Sequence, residues 1–313
     1  MGKVQKSGFD LLRTNLGPLE LDTPLIAASG TFGYGAEFSD FCDLDCFGAI
    51  TLKAVSLEAR KGNPYPRIVE TPSGMLNCIG LENQGIDVFL DEKLHEAVST
   101  GRPLIANLVG DRIDDYAKLA GILDDRTELA ALEVNASCPN VDHGFSSFGT
   151  DPVVISELIG AVCEKTTKPV IAKLSPNVTD ILPIARAAID GGAAILNLGN
   201  TFLGMSICVE TRKSRLSRDY AGLSGRAIRP LALRIVHQAA TGLDVPIIGT
   251  GGIYETTDAL EFLIAGAGGL GIGTVNFIYP NRAREMCEGI INYLNDNKLS
   301  LVDLIGSYTG TRV

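Results

Sequence analysis

Short apolar runs, rich in β-branched residues and leucine, alternate along this chain with longer segments whose apolar positions recur every three or four residues. The short runs are Pro24–Ser29, Phe47–Lys53, Pro103–Leu108, Ala130–Asn135, Pro169–Leu174, Ala193–Leu198, Pro246–Thr250 and Gly269–Gly273. Most are apolar nearly throughout, as expected of strands buried on both faces of a parallel sheet. The periodic segments between them predict helices over Asp87–Ser99, Ile113–Leu123, Val153–Thr166, Asp180–Asp190, Ile228–Ala240 and Thr257–Ala265, with Asn281–Asn295 as a last helix. Asp111, Thr179-Asp180 and Thr256-Thr257-Asp258 stand where N-terminal caps are needed, and Gly191-Gly192 marks a stop.

Eight strands alternating with helices predict an α/β fold, a TIM (β/α)8 barrel, over one domain spanning 1–313. A doubly wound open sheet is the alternative. The stretch 15–21 (NLGPLEL) predicts a short N-terminal hairpin that covers the bottom of the barrel. Three connections are longer than a barrel needs: Ala54–Gly85, Pro139–Asp151 and Thr201–Arg229. Each follows a strand, which puts all three on the C-terminal face, where barrel active sites are built. The Gly, Ser and Phe content of Pro139–Asp151 suits a mobile lid.

Composition narrows the function classes. There are 27 Lys and Arg against 37 Asp and Glu, a formal charge of −10, which disfavours a nucleic-acid partner. No signal-peptide core and no apolar run near the ~18 residues of a membrane span is present, so a cytoplasmic protein with no membrane partner is expected. The 7 cysteines include no C-x-x-C pair, and no metal or iron–sulfur site is expected within this chain. Most of the thiols are expected to be small buried hydrophobes.

The candidate chemistry sits at the strand ends. The fourth strand runs into Asn135-Ala136-Ser137-Cys138-Pro139-Asn140, where Pro139 ends the ladder for want of an N–H. A thiol and two amides are left at the exit, enough to hold a flat polar ligand and offer it a proton acceptor. The other strands end in Ser29, Lys53, Asn107, Lys173 and Asn200-Thr201. Two lysines and several amides around one cavity suit an electron-rich heterocycle such as a flavin; a buried ion pair is the plain alternative for either lysine. Strands seven and eight end in Gly249-Thr250-Gly251-Gly252 and Gly271-Ile272-Gly273-Thr274. Paired glycines there point to a phosphate site. No P-loop or dinucleotide signature accompanies them. His143, on the expected lid, is an alternative base. His95 and His237 fall in helical segments and are expected to be structural or exposed. No Ser-His-Asp order supports hydrolase chemistry.

The segments ASGTFGYGAE (28–37), TLKA (51–54), NCIGLENQG (77–85), NASCPN (135–140), AKLSPN (172–177), GNT (199–201), GLSG (222–225), GTGGI (249–253) and GIGT (271–274), in this order, resemble the catalytic subunits of type 1B dihydroorotate dehydrogenases, the FMN-binding barrels of pyrimidine synthesis. The resemblance spans nearly the whole chain. It implies FMN at Ser29, Lys53, Ala54, Asn107, Asn135, Lys173, Gly199 and Gly225, with its phosphate at Gly251, Gly252, Gly273 and Thr274. It implies orotate or dihydroorotate at Lys53, Asn77, Ile79, Gly80, Leu81, Asn135, Asn140, Asn200 and Thr201. Cys138 would take the C5 proton while hydride leaves C6 for flavin N5. Segment 200–207, with Thr211-Arg212, resembles type 1B, which implies a homodimer joined to a separate subunit carrying FAD and a 2Fe-2S cluster, a heterotetramer passing electrons to NAD. A dihydropyrimidine dehydrogenase-like protein acting on uracil or thymine, or a flavin-binding barrel without turnover, would share many of these features. Among the positions that depart from the usual pattern, Gly199 stands for an aliphatic residue, Cys208 for an aspartate, Ala221 for a glycine and Arg226 for a proline.

Overall fold

The computed structural model describes residues 6–136 and 148–310. The expected base Cys138, together with Asn140, His143 and most of the expected lid, lies outside the described residues. Eight parallel strands close on themselves: β1 (Leu25–Ala27), β2 (Ala49–Thr51), β3 (Leu104–Leu108), β4 (Leu129–Asn135), β5 (Val170–Leu174), β6 (Ile195–Leu198), β7 (Ile247–Thr250) and β8 (Gly269–Ile272). Closure runs through β8 and β1, with Leu270, Gly271 and Ile272 opposite Leu25, Ile26 and Ala27. That pairing excludes the open sheet. All eight strands fall where the apolar runs place them.

The helices that pack around the barrel include Ile113–Asp124, Pro152–Cys163, Leu182–Asp190, Arg229–Gly242, Thr256–Ala265 and Arg282–Asn297. The segment expected as one helix over Asp87–Ser99 begins at Gly85 and contains a π-helical turn, Phe89–Lys93. Two caps differ from expectation. Asp111 does not cap its helix; its carboxylate takes Arg60 at 2.8 Å, and Asp115, inside the first turn, accepts the N–H groups of Asp111 and Arg112. Likewise Asp258, three residues into its helix, accepts from Tyr254 and Glu255. An acidic side chain there satisfies orphan donors from inside the helix. Asp180, one residue ahead of the N-cap Ile181, accepts from the first helical N–H, Leu182, at 3.0 Å.

The interior changes character every second residue up the barrel. The lowest inward positions are Ile26, Ala49, Ile105, Ala131, Ile171, Ile195 and Ile248, packed against Leu16, Leu19 and Leu21 of the hairpin Thr14–Leu16/Leu19–Leu21. The hairpin thus plugs the bottom, as expected. Two residues further along the same strands stand Ala28, Thr51, Asn107, Glu133, Lys173, Asn197 and Thr250. Side chains alternate along a strand, so these share the inward face and turn the upper barrel polar.

Above the C-terminal mouth lies a four-stranded antiparallel sheet that the hydrophobic pattern did not predict. Its order is Phe202–Gly204, Ala221–Ser224, Gly74–Asn77, Ile68–Thr71. The long connections after β2 and β6 supply two strands each. Asn77 stands between Ile68 and Gly222 in register.

Candidate active site

Glu133 is the centre of the polar interior. It is 1% exposed, and each carboxylate oxygen takes an amide: Asn107 Nδ2 donates to Oε1 and Asn197 Nδ2 to Oε2, both at 2.6 Å. Thr250 Oγ1 donates to Asn197 Oδ1 at 2.8 Å, which fixes the orientation of that amide. Lys173 Nζ lies 3.6 Å from Glu133 Oε1 and is itself buried. The ion-pair alternative for Lys173 is therefore what the structure shows. Asn107 Oδ1 is fully buried and has no hydrogen-bond partner among the described residues. A buried acceptor left unmade costs about 1–3 kcal/mol, so it marks a place for a ligand donor.

Above this layer, Asn135 ends β4. Its carbonyl accepts from Tyr116 Oη at 3.1 Å, and its Oδ1 takes Asn200 Nδ2 at 3.5 Å. Asn200 Oδ1 in turn accepts from the Thr201 N–H at 2.8 Å. These contacts bring the ends of β4 and β6 together. Asn177, which sequence reasoning passed over, ties down the connection after β6: its Nδ2 donates to Thr201 O at 3.0 Å and its Oδ1 accepts from Leu203 N at 2.9 Å. At β1 and β2, Ser29 Oγ donates to Leu52 O at 2.7 Å and Lys53 N to Gly33 O at 2.9 Å, placing Ser29, Lys53 and Ala54 side by side at the mouth.

The loop holding Asn77, Ile79, Gly80 and Leu81 is set by Asn83, another residue given no role from the sequence. Buried Asn83 donates to Ser56 Oγ and Leu81 O at 2.8 and 2.9 Å, and accepts from Gly85 N and Ser56 N at 2.9 and 3.3 Å. It holds Leu81 at φ 56°, a left-handed conformation that a leucine adopts only when its surroundings impose it. Asn77 Nδ2 reaches Gly222 O at 3.4 Å, which ties this loop to the upper sheet.

Two glycines of the expected FMN site stand against backbone. A Cβ on Gly252 would stand 2.6 Å from Arg229 N, at the start of the helix Arg229–Gly242. One on Gly225 would meet Gly74 Cα at 2.7 Å. Thr274 Oγ1 bonds Ser224 Oγ at 2.9 Å, joining the end of β8 to the segment that leads into that helix. Backbone crowds backbone here, and a chain without Cβ atoms can present N–H groups to an anion.

Residues 11–294 match the family model described as dihydroorotate dehydrogenase. The chain belongs to the dihydroorotate dehydrogenase family. It is 49% identical, over 95% of its length and 97% of the relative's, to a Geotalea uraniireducens protein named dihydroorotate dehydrogenase B (NAD(+)), catalytic subunit. Proteins of the same name from Geotalea daltonii and Bacteroides thetaiotaomicron are 50% and 46% identical, each over 95% of this chain and 97% and 98% of their own. A crystal structure of the Eimeria tenella dihydroorotate dehydrogenase in complex with ferulenol superposes with a TM-score of 0.81 at 23% identity, covering 98% of this chain and 91% of that one. That likeness concerns the fold.

Three of the four named departures from the dihydroorotate dehydrogenase pattern have local settings that the structure shows. A Cβ on Gly199 (φ 155°) would fall 1.7 Å from Thr250 O, so this backbone path excludes any other residue. Arg226 stacks 4.5 Å from the Tyr254 ring centroid and lies 3.6 Å from Glu255. Cys208 donates to Glu210 Oε2 at 3.1 Å in the small ribbon Ile207–Cys208/Lys213–Ser214. Nothing in the structure explains Ala221, which is buried opposite Gly204. As for the histidines, His95 is an exposed helical residue, and His237 packs edge-on to Tyr308 with ring centroids 4.9 Å apart. Among the described residues, no helix is long and apolar enough to cross a membrane.

Glu133, Asn197 and Thr250 carried a readable signal: each is a polar residue with the strand's inward parity. They were missed because each strand as a whole reads as apolar.

Proposed function

We propose that this chain oxidises dihydroorotate to orotate with bound FMN, as the catalytic subunit of an NAD-linked dihydroorotate dehydrogenase. The observation that carries the reading is a polar barrel mouth built from the strand-end residues that the family resemblance assigns, in a chain sharing about half its residues with relatives of that name. The residues fit the cofactor. Asn107 Oδ1 is an orphaned acceptor among the described residues, suited to an imide N–H, and the crowded Gly252 leaves backbone where a phosphate needs N–H donors. When bound, FMN accepts the hydride equivalent that leaves the substrate.

The chain supplies position and proton transfer. Ser29, Lys53, Ala54, Asn107, Asn135, Lys173, Gly199 and Gly225 hold the ring system, and Gly251, Gly252, Gly273 and Thr274 the phosphate. Lys53 meets the substrate carboxylate. Asn77, Asn135, Asn140, Asn200 and Thr201 bind its polar edges, and Ile79, Gly80 and Leu81 form the wall beside it. Holding the reacting carbons in line supplies several kcal/mol of the barrier. Cys138, three positions beyond Asn135, takes the C5 proton. Two such chains form a dimer, and a partner subunit carrying FAD and a 2Fe-2S cluster completes a heterotetramer that reduces NAD.

The test is single-turnover bleaching of the flavin absorbance by dihydroorotate in wild type and Cys138→Ala. The expected result is a fall of at least a hundredfold in the bleaching rate, within the usual range for losing a general base. Near-native bleaching would remove Cys138 from the chemistry. Bleaching by dihydrouracil as fast as by dihydroorotate would remove the carboxylate-binding role of Lys53.

A further inference from the structure

We infer that Glu133 is a positioning residue that balances the charge of Lys173 beneath the bound ring and thereby sets how strongly the site favours reduced over oxidised flavin. The inference rests on the proposed occupancy of the mouth by FMN. Its basis is the arrangement below that mouth. Both Glu133 oxygens are engaged by amides at 2.6 Å, and Lys173 Nζ stands 3.6 Å away. The clamp is itself braced. Thr250 locks the Asn197 amide, and Gly271 makes room for Thr250, since a Cβ there would fall 1.9 Å from Thr250 Oγ1.

Fold stability does not account for this expenditure of polar groups. Two residues lower on the same strands the barrel is filled by Ile105, Ala131, Ile171 and Ile195. Well-packed apolar residues commonly replace a buried ion pair with no loss of stability. A carboxylate braced from two sides beside a buried lysine instead fixes a charge in place. Without Glu133, the positive charge of Lys173 would weigh more on the ligand and would favour the anionic, reduced ring. Glu133 offsets that charge in a medium where charge interactions are poorly screened. It also holds the ammonium group in one position.

Glu133→Gln removes the charge and keeps the shape. The Gln amide keeps one oxygen for an asparagine donor, and the FMN content of the same samples shows whether the site still binds the ring. The experiment measures the FMN midpoint potential of holoenzyme by dye-equilibrium titration, with FMN content and thermal midpoint measured on the same samples. Glu133→Gln should raise the ratio of reduced-flavin to oxidised-flavin affinity on the order of tenfold, which is ~30 mV upward for a two-electron couple. Glu133→Asp keeps the charge but draws it back by one methylene, and should shift the ratio in the same sense by only about two- to threefold. A Glu133→Gln holoenzyme with full FMN content and an unchanged potential would overturn the inference. So would a Glu133→Asp shift as large as that of Glu133→Gln. If Glu133→Gln does not accumulate as folded protein, Glu133→Asp decides, and a potential at or below wild type overturns the inference. Failure of the wild-type protein to bind FMN would instead overturn the proposed function.

Discussion

Gly252 offers a sharp test of the glycine cradle. Its φ of 77° is left-handed, which costs a residue with a Cβ roughly 1–2 kcal/mol. The new methyl would also stand 2.6 Å from Arg229 N and 2.7 Å from Arg229 Cα and Cβ, and two of those three atoms are backbone that cannot swing aside. Overpacking of this kind adds about 1–3 kcal/mol. Gly252→Ala thus carries about 2–5 kcal/mol of strain while the end of β7 stays against the helix Arg229–Gly242. The apoprotein can relieve it by separating the two segments, but the phosphate-bound form cannot. At ~1.4 kcal/mol per decade, FMN should bind between about 30-fold and about 4,000-fold more weakly. The assay is quenching of flavin fluorescence on titrating apoprotein, with riboflavin, which lacks the phosphate, run in parallel. Riboflavin affinity should change far less than FMN affinity. An FMN affinity within threefold of wild type, with the apoprotein's thermal midpoint unmoved, would refute the crowding argument. An equal loss for both ligands would show that Gly252 does not face the phosphate.

Two further outcomes follow from the same structure. Asn83→Ala deletes four hydrogen bonds that hold the loop carrying Ile79–Leu81; at about 0.5–1.5 kcal/mol each, the loop loses its left-handed turn, and KM for dihydroorotate should rise about tenfold or more. Steady-state kinetics at constant FMN content check this, and an unchanged KM would show that the loop does not touch substrate. Stability should also fall at high pH. Burial pushes the Cys42 thiol from 9.0 up to about 12, helped by Cys46 and Asp43, and burial with the nearby Glu37 and Glu96 charges pushes Tyr34 from 10.0 up to about 12. Both groups hold their protons more tightly folded than unfolded, so this stability is complete below pH 9 and is lost as pH rises from 9 towards 12. Thermal midpoints across that range should decline, and Cys42→Ala should flatten the first part of the decline; identical profiles would refute the role of the thiol.

The barrel was legible because its strands are buried on both faces and its helices on one. Those two burials write periods into the sequence that need no knowledge of distant contacts. The bottom hairpin was legible for a similar reason, its Gly17-Pro18 turn sitting between leucines of alternating parity. Strand-end chemistry was legible in position, because in a parallel barrel every strand exits at the same mouth. The upper sheet was not. Its strands are three or four residues shorter than the longest barrel strand and only half buried, and Asn77 meets Gly222 across 145 positions of chain. Nothing local specifies such a pairing.

What the chain alone determined, then, is whatever local burial period and turn chemistry encode: eight strands, their helices, the closed bottom and the polar rim. Tertiary structure decided which polar groups act on one another. Asn107, Glu133, Lys173, Asn197 and Thr250 come from five different strands, and only the side-by-side pairing of those strands makes them one network. The packing of neighbouring elements brings Gly252 against Arg229 and Gly199 against Thr250. Electrostatic and steric coupling fall off over a few ångströms in space, and separation along the sequence carries no measure of that distance.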